Sequence, residues 1–506
     1  MAAVRGVTVR TLAYAFIVMV ASLAVSPAPV RAEVAPPNIV IFLSDDAGFG
    51  TLRPDAMPNV WMRLVERGAR FTRFYSPNPT CCPARASLLT GLLSAHTRVW
   101  ANGDAPGMPT DPWIRYGGAT AFHEVDGNET ATLAYVLDQH GYGTGLFGKY
   151  LNGYAAYAVA RSPDDPAAWR PAGWDSWHVF FGDNGAYYDY VLNVDGTLRS
   201  YGSAPSDHST TVLGRQAVAW LGRIPEGTPF FLVYAPFAPH NPTIADPRDE
   251  GRFAELPEFR SPALNEEDVS DKPSYIARLR TIAPWKISRK RRDTFEALYS
   301  MDRQIGRIMD AIEERGETNR TIFLYLSDNG LGWGEHRWRF KLVPYERSSR
   351  VPAVMRFDGV LPPGSSYTDL AAIVDVKATV LSLAGISWSG SSDGIDLFSG
   401  RRRWVPLAGM YYPRTGPTAP SYCGIVTSRW KYVVYVPQPD GSGPVEGPYE
   451  EELYDLGRDP WELDNRLRVR PGDRVLRVRD RLRSRLADQG WCGFPPDSIQ
   501  PNWPSG

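Results

Sequence analysis

Residues 81–91 read Cys-Cys-Pro-Ala-Arg-Ala-Ser-Leu-Leu-Thr-Gly, and they decide how the rest of the chain is interpreted. Pro83 is typical of the first turn of a helix, so a helix is expected over residues 83–93. Cys81 would then lie just before the helix N-terminus, where backbone N–H groups and the helix dipole favour an anion. The pattern C-x-P-x-R, followed after four residues by T-G, is a strong motif.

Apolar, β-rich runs alternate with helical patterns on both sides of this motif. Strands are expected at 38–43, 71–75, 144–147, 230–234 and 321–326, and helices at 59–66, 130–140, 209–221 and 292–314. This alternation predicts an α/β sheet with helices on both faces. Beyond a Gly- and Ser-rich stretch at 387–399, strands at 430–436 and 452–456 and a helix at 474–489 predict a smaller α+β unit.

Polar side chains follow several of the predicted strands, at the edge where ligands of such sheets bind. Carboxylate and amide oxygens suit Ca²⁺ or Mg²⁺, although an Asp-Asp pair or Asp-Asn-Gly alone is more often a turn. A lysine there is by default a solvated surface charge, and a histidine a satisfied structural residue. The residues at this edge are Asp45, Asp46, Lys149, His240, Asp328 and Asn329.

The motif at 81–91 resembles the signature of the sulfatase family, in which the cysteine matching Cys81 is oxidised to formylglycine. A formylglycine-generating enzyme reads the C-x-P-x-R core and is an implied partner. The hydrated aldehyde has two hydroxyls: one attacks sulfur, and the other expels sulfate by losing its proton. Ala84 stands where the family usually has serine.

The resemblance runs in order from about residue 37 to residue 465. It implies an alkaline-phosphatase-like α/β fold, with a large mixed sheet flanked by helices and a smaller C-terminal α+β subdomain. It also implies one divalent cation, Ca²⁺ in preference to Mg²⁺. The implied catalytic residues are Cys81, Arg85, Lys149, His240 and Lys341; the implied metal ligands are Asp45, Asp46, Cys81, Asp328 and Asn329; and the implied substrate contacts are Asn152 and His336.

One departure concerns the lysine motif. Many sulfatases have histidine two residues after the lysine, but here Leu151 follows Lys149 and Tyr150. The pattern Gly-Lys-Tyr-Leu-Asn at 148–152 resembles the N-acetylglucosamine-6-sulfatase branch, which implies a sulfated sugar or an aryl sulfate as substrate. The base for sulfate release therefore stays open between His240 and another group.

The N-terminal residues predict export. Arg5 and Arg10 precede an apolar run at 11–25, and small residues end it, so residues 1–32 are predicted to be a signal peptide cleaved after Ala32. An uncleaved anchor is the alternative; otherwise no stable membrane insertion is expected, and the protein would be secreted or periplasmic. The predicted catalytic domain spans 33–390 and the C-terminal subdomain 391–506. Cys423 and Cys492 could form a disulfide in an oxidising compartment.

Two other functions compete with sulfate ester hydrolysis. The formal net charge of −1 argues against a nucleic-acid partner. A phosphomonoester or phosphodiester hydrolase of the same fold would use Thr80 as its nucleophile. A non-catalytic protein with an unmodified Cys81 would bind sulfated glycans without turnover, although the full set of charged residues argues against it.

Overall fold

The computed structural model describes residues 35–103, 117–182, 185–410, 418–436, 449–468 and 470–488, together with residues 2 and 6. The chain divides into two units, Met1–Ala35 and Pro36–Gly506, and the strands and helices of the described residues lie in the second. The predicted signal peptide, except for residues 2 and 6, lies outside the described residues, as does Cys492. No helix among the described residues is long and apolar enough to span a membrane.

The strands of the described ranges are numbered in chain order. They are β1 Asn38–Ser44, β2 Ala69–Phe71, β3 Phe74–Tyr75, β4 Gly143–Gly148, β5 Ser176–Phe180, β6 Tyr190–Val194, β7 Thr197–Tyr201, β8 Phe230–Ala235, β9 Thr321–Ser327, β10 Ala353–Arg356, β11 Ser365–Tyr367, β12 Ala371–Ala372, β13 Trp404–Gly409, β14 Ser421–Thr427, β15 Trp430–Val436 and β16 Glu450–Asp455.

The helices are numbered in the same way. They are α1 Pro58–Val60, α2 Cys81–Thr90, α3 Ser94–Thr97, α4 Gly118–His123, α5 Leu133–Asp138, α6 Tyr154–Arg161, α7 Ser209–Leu221, α8 Ser274–Ala277, α9 Pro284–Glu314, α10 Glu346–Ser349, α11 Asp375–Leu383 and α12 Asp473–Asp488. A π-helical turn, Trp61–Val65, follows α1, and 3₁₀ turns occur at Pro205–Asp207 and Thr318–Arg320.

Among the described residues, ten strands form one mixed sheet in the order β11-β2-β10-β9-β1-β8-β4-β5-β6-β7. The central strands β9, β1, β8, β4 and β5 are parallel, whereas β10, β6 and β7 pair antiparallel. Every residue of β1 is buried. A strand that is buried along its whole length is expected where helices cover both faces of a sheet.

Alternate residues of β1 enter two different cores. Ile39 and Ile41 pack on one face, in the apolar cluster that includes Leu88 of α2. Val40 and Phe42 pack on the other face, with residues of α7 and α9. This alternation follows from the two-residue period of a strand, and it confirms the predicted α/β architecture with helices on both sides.

A second sheet forms the predicted C-terminal α+β unit. Within the described residues its order is β13-β14-β15-β16, and all neighbours are antiparallel. One face of α12 packs against it through Val478, Leu482 and Leu486. The two sheets lie on either side of the predicted boundary at residues 390/391, and the boundary itself stays a prediction.

Several predicted helices differ from the observed ones; α5, for example, covers only Leu133–Asp138 of the predicted 130–140. Helix α2 begins at Cys81, so Cys81 is the first residue of the helix and does not precede it. The segment 59–66 forms α1 and a π-helical turn instead of one helix. Helix α9 begins at Pro284, eight residues before the predicted start at 292, because Pro284 occupies its first turn and Ile287 is already buried.

Candidate active site

The candidate site lies at the C-terminal edge of the parallel strands, where the N-terminus of α2 meets the loops that follow them. Because β9, β1, β8 and β4 are parallel neighbours, the residues after their last positions meet at one edge of the sheet. The side chains that meet there, all in contact with another member of the set, are Asp45, Asp46, Cys81, Arg85, Lys149, His240, Asp328, Asn329 and Lys341.

Cys81 lies at the centre of this cluster. Thr80 precedes it in an extended conformation, so the helix begins at the cysteine itself. The Sγ of Cys81 is 2.6 Å from the Nζ of Lys341 and 3.4 Å from the Oδ1 of Asp45. Burial, together with the charge of Asp45, raises the pKa of the Cys81 thiol to about 12. The unmodified thiol is therefore protonated near neutral pH and is a weak nucleophile.

Two cations hold the carboxylate of Asp45. The Nζ of Lys149 donates to Asp45 Oδ2 at 2.5 Å, and the Nη2 of Arg85 lies 3.3 Å from the same oxygen. Arg85, one turn after Cys81 on α2, also donates its Nε to Asp328 Oδ2 at 2.9 Å. Burial alone raises the pKa of Asp45, but Lys149, His240 and Arg85 outweigh it and hold that pKa far below its usual range.

Asp46 is held by a separate group of side chains. Lys341 Nζ and Asn329 Nδ2 each donate to Asp46 Oδ1 at 2.7 Å, and His240 Nε2 is 3.6 Å from Oδ2. The φ of Asp46 is +74°, a left-handed conformation that is costly for a residue with a Cβ. Such strain is characteristic of functional sites, and here it occurs between two buried carboxylates.

The ring of His240 is oriented by a hydrogen bond to the backbone. Its Nδ1 donates to the carbonyl oxygen of Asn241 at 2.7 Å, which leaves Nε2 facing the cluster as an acceptor when the ring is neutral. Burial lowers the pKa of His240, and the charges of Asp46 and Asp45 oppose that effect.

The donors fit a hard divalent cation. One ligand atom each from Asp45, Asp46, Cys81 and His240 lie within 4.8 Å of one another. The Oδ1 of Asn329 is buried and has no hydrogen-bond partner among the described residues. An orphaned amide oxygen beside paired carboxylates is the donor set expected for Ca²⁺ or Mg²⁺. His240, which was not among the predicted ligands, joins this group, whereas Asp328 faces Arg85 and backbone N–H groups.

The two predicted substrate contacts lie outside the cluster. Asn152 is buried, and its Oδ1 has no hydrogen-bond partner among the described residues. His336 is also buried; its Nδ1 is 2.6 Å from Glu266 Oε2, and its ring packs on Tyr345. The structure therefore does not bring His336 together with Cys81, and both substrate roles stay predictions.

Lys290 was missed by the sequence reasoning. It projects from α9 and donates to Asn241 Oδ1 at 2.6 Å and to Thr243 Oγ1 at 2.5 Å, next to His240. Burial lowers its pKa to about 8. In the sequence it stands in the basic run 286–292, which has the pattern of a solvated helix face, so no local signal could have identified it.

Comparison with protein families decides the assignment. Residues 37–386 match the family model described as Sulfatase, and residues 334–489 match the model described as N-sulphoglucosamine sulphohydrolase, C-terminal. The chain belongs to the sulfatase family. The first match covers the ten-stranded sheet and the cluster around Cys81, and the second covers the C-terminal sheet.

Relatives in this family are similar over most of this chain. It is 29% identical over 371 residues to the N-acetylglucosamine-6-sulfatase of Homo sapiens, covering 71% of this chain and 63% of that protein. It is 28% identical over 369 residues to the extracellular sulfatase SULF-1 homolog of Drosophila melanogaster, covering 71% of this chain and 30% of that protein. The chain thus spans between about a third and two thirds of the length of these relatives.

Solved structures show the same fold. The structure of BT4656 in complex with its substrate D-glucosamine-2-N,6-O-disulfate aligns with a TM-score of 0.71 at 21% identity, covering 92% of this chain and all of that one. The phosphonate monoester hydrolase of Agrobacterium radiobacter aligns with a TM-score of 0.62 at 19% identity, covering 90% and 96%. The fold alone therefore does not distinguish a sulfate ester from a phosphonate ester as the substrate. That distinction depends on the residues of the site.

Proposed function

We propose that this protein hydrolyses the sulfate ester of a sulfated sugar to an alcohol and inorganic sulfate. The observation that carries the proposal is the group of buried cations around Cys81 at the start of α2: Lys341 contacts its Sγ, and Lys149 and Arg85 hold Asp45, which contacts the same sulfur. Buried cations and a helix N-terminus together form a site for a negatively charged, tetrahedral group. Membership of the sulfatase family supports this reading.

Cys81 is proposed to act after conversion to formylglycine. Burial keeps the unmodified thiol protonated, with a pKa of about 12, so the thiol itself is poorly suited to attack. As a hydrated aldehyde, formylglycine supplies one hydroxyl that attacks sulfur and a second whose deprotonation releases sulfate. The maturation requires a formylglycine-generating enzyme as a partner in the producing cell.

The surrounding side chains then have separate tasks. Lys149 and Lys341 neutralise the charge on the sulfuryl oxygens, and Arg85 fixes the carboxylates of Asp45 and Asp328. The departing alcohol oxygen takes its proton from His240, acting as an imidazolium whose Nε2 faces the cluster, or from Lys341, whose Nζ contacts Cys81. Since Leu151 stands where many sulfatases have histidine, His240 is also the candidate base for sulfate release.

A divalent cation, calcium in preference to magnesium, is proposed to bind beside Cys81. Its ligands would be Asp45, Asp46, Asp328 and Asn329, with residue 81 as a further ligand. Asp328 would bind through Oδ2, which accepts one hydrogen bond, from Arg85. A bound cation supplies positive charge that polarises a sulfate oxygen. The orphaned Oδ1 of Asn329 and the buried pair Asp45–Asp46 support this placement.

The substrate class follows from the relatives. The branch motif at 148–152 and the similarity to N-acetylglucosamine-6-sulfatases favour a sulfated amino sugar, free or within a glycan. Asn152 and His336 are the proposed substrate contacts. The predicted leader and the extracellular relatives favour secretion.

The decisive test is the mass of the peptide that contains Cys81, from protein secreted by a host with the maturation enzyme. Replacement of sulfur by aldehyde oxygen, together with release of sulfate from a sulfated glucosamine, supports the proposal. A fully unmodified cysteine in that host would sink it. The Cys81→Ala protein from the same host is the matched control for the peptide mass and for the release of sulfate.

A further inference from the structure

A second cavity, of about 440 Å³, lies beside the loops that follow β1 and β9, and charged side chains and aromatic rings line it together. It is formed by the loops after β1 and β9, the first half of α9 and helix α10. None of the residues in the Cys81 cluster lines it, although His336, one of the two proposed substrate contacts, does. The carbonyl oxygen of Arg347 in α10 would be 2.1 Å from a Cβ at Gly330, so the wall of the cavity packs directly on the loop after β9.

Four of the described residues that line this cavity are arginines, and three of them have carboxylate partners. Arg53 pairs with Asp55 at 2.5 Å, Arg347 Nε with Glu335 Oε1 at 3.1 Å, and Arg350 with Glu346 at 3.2 Å. The fourth, Arg291, forms no ion pair within the described part of the chain. The lining residues also include the carboxylates of Glu335, Glu346 and Glu462, so the arginines outnumber them by one. Glu335 acts on Arg291 through its charge but forms no ion pair with it.

Arg291 is buried, with 5% of its surface exposed. Its Nη1 donates to the carbonyl oxygen of Pro257 at 2.8 Å, but its Nε has no hydrogen-bond partner among the described residues. Burial, followed by the charges of Arg53 and Arg347, lowers its pKa to about 10, so it is still charged at neutral pH. A buried charge without a partner is costly, and an anion in the cavity would remove that cost.

Arg347 provides a second donor next to the same aromatic rings. Its Cζ lies 3.9 Å from the ring centre of Trp333 and 5.7 Å from that of Phe259. The Cζ of Arg291 lies 5.3 Å and 4.8 Å from these two rings. The Nη2 of Arg347 is buried without a hydrogen-bond partner among the described residues. Two guanidinium groups with unused donors therefore flank one pair of rings.

We propose that this cavity is a second oxyanion site, in which Arg291 and Arg347 bind a sulfate or carboxylate group. Guanidinium groups are well suited to such oxyanions because their N–H donors match the oxygen spacing. The rings of Trp333 and Phe259 provide an apolar wall for whatever carries the anion. The oxyanion is either free sulfate or an acidic group of a long sulfated glycan. Binding of an acidic group of a glycan rests on the proposed function, whereas binding of free sulfate does not.

The direct test uses selenate, an analogue of sulfate with an anomalous X-ray signal. In crystals soaked with selenate, the expected selenium peak lies beside Arg291 Nε and Arg347 Nη2 and is absent from the Arg291→Met protein. A second peak near Cys81 would report the proposed active site independently. A peak near Cys81 alone would overturn the oxyanion site and leave the proposed function intact.

Thermal unfolding in solution separates binding from a structural role. Arg291→Met removes an unpaired buried charge and keeps the side-chain length, so without sulfate its Tm should equal or exceed that of the unsubstituted protein. Added sulfate, at ionic strength matched with chloride, should raise the Tm of the unsubstituted protein about 1–2 °C more than that of Arg291→Met. Arg289→Met, on an exposed turn of α9, is the matched control and should retain the full gain. Equal gains in all three proteins would mean that Arg291 is structural.

Kinetics distinguish the two sources of the anion. For a multiply sulfated oligosaccharide, Arg291→Met should raise KM about tenfold if the cavity holds a second acidic group of the chain, with kcat and the kinetics of a monosulfated monosaccharide unchanged. Selenate binding with unchanged oligosaccharide KM would assign the site to free sulfate.

Discussion

Asn329 donates its side-chain Nδ2 to the Oδ1 of Asp46 at 2.7 Å, and this leaves its own Oδ1 buried without a hydrogen-bond partner among the described residues. A buried amide oxygen is rarely left unsatisfied in a native protein. The hydrogen bond fixes the amide so that its oxygen is available beside two carboxylates. This orientation is what a hard divalent cation requires of a neutral ligand.

Replacing Asn329 should therefore weaken cation binding. We expect Asn329→Leu, which keeps the shape but lacks the oxygen, to lower calcium affinity at least tenfold, about the effect of losing one well-placed polar partner of a metal site. The measurement is calcium titration by calorimetry, with metal content after dialysis as a second reading. Asn329→Asp retains an oxygen donor and should bind calcium well. Unchanged affinity in Asn329→Leu would remove Asn329 from the ligand set.

The identity of the nucleophile can be tested at two adjacent residues. Cys81→Ala removes the proposed precursor of formylglycine and should lower kcat by more than about a thousandfold. Thr80→Val should stay within about threefold of the unsubstituted protein, because the Thr80 side chain makes no capping hydrogen bond to α2. The opposite result, loss of activity in Thr80→Val alone, would favour the phosphohydrolase. The assay is release of sulfate and, separately, of phosphate from matched esters.

Part of the proposed site could be predicted from the sequence because several of its residues follow buried strands, whereas Cys81, Arg85 and Lys341 were predicted from the resemblance to sulfatases. Asp45, Asp46 and Asn329 were predicted to meet at one edge of a parallel sheet, and the structure confirms that they do. His336 was placed near the substrate by its position in the motif, but its side chain is paired with Glu266, seventy residues earlier in the chain. Contacts of that kind depend on how loops pack, which no local pattern encodes.

The secondary structure, like the site, could be predicted only where a local sequence pattern indicates it. The central strands β1, β8 and β9 could be predicted because each has a continuous apolar run and is buried along its whole length. The strands β5 and β10 are also fully buried but were not predicted. The edge strand β7 is mostly exposed and was missed, since it lacks any apolar run. The first turns of α9 were missed because their basic residues obscure the buried positions Ile287 and Arg291.

The proposed role of His240 as proton donor predicts how the rate depends on the leaving group. If its ring protonates the departing oxygen, His240→Asn should slow hydrolysis of an alkyl or sugar sulfate about a hundredfold, since such alcohols leave poorly without a proton. An aryl sulfate with an acidic phenol needs less assistance, so its hydrolysis should slow much less. The comparison is kcat for both substrates in the two proteins. His96→Asn, at an exposed histidine, is the control and should affect neither substrate. An equal loss for both substrates would contradict the role of proton donor.

Lys377, which lies outside the site, should make the stability of the folded protein depend on pH. Its side chain is 1% exposed, and its Nζ donates to the carbonyl oxygen of Ala131 at 2.5 Å and lies 3.0 Å from the ring centre of Trp388. It has no ion pair among the described residues, and burial lowers its pKa to about 7.

Because the pKa of Lys377 is lower in the folded protein than in the unfolded chain, stability should rise with pH. An unfolded lysine titrates near pH 10.4, so between about pH 7 and pH 10.4 the unfolded state binds more protons, and the Lys377 contribution to stability improves as pH rises, by at most about 1.4 kcal/mol per pH unit. Below about pH 7 the penalty of the buried charge is fully present. Lys377→Met removes it, so the Tm advantage of Lys377→Met should be largest at pH 6 to 7, a few degrees, and should shrink by pH 9. Lys286→Met, at an exposed position of α9, should show no such trend. A constant difference in Tm at every pH would show that Lys377 does not lose its proton in the folded protein.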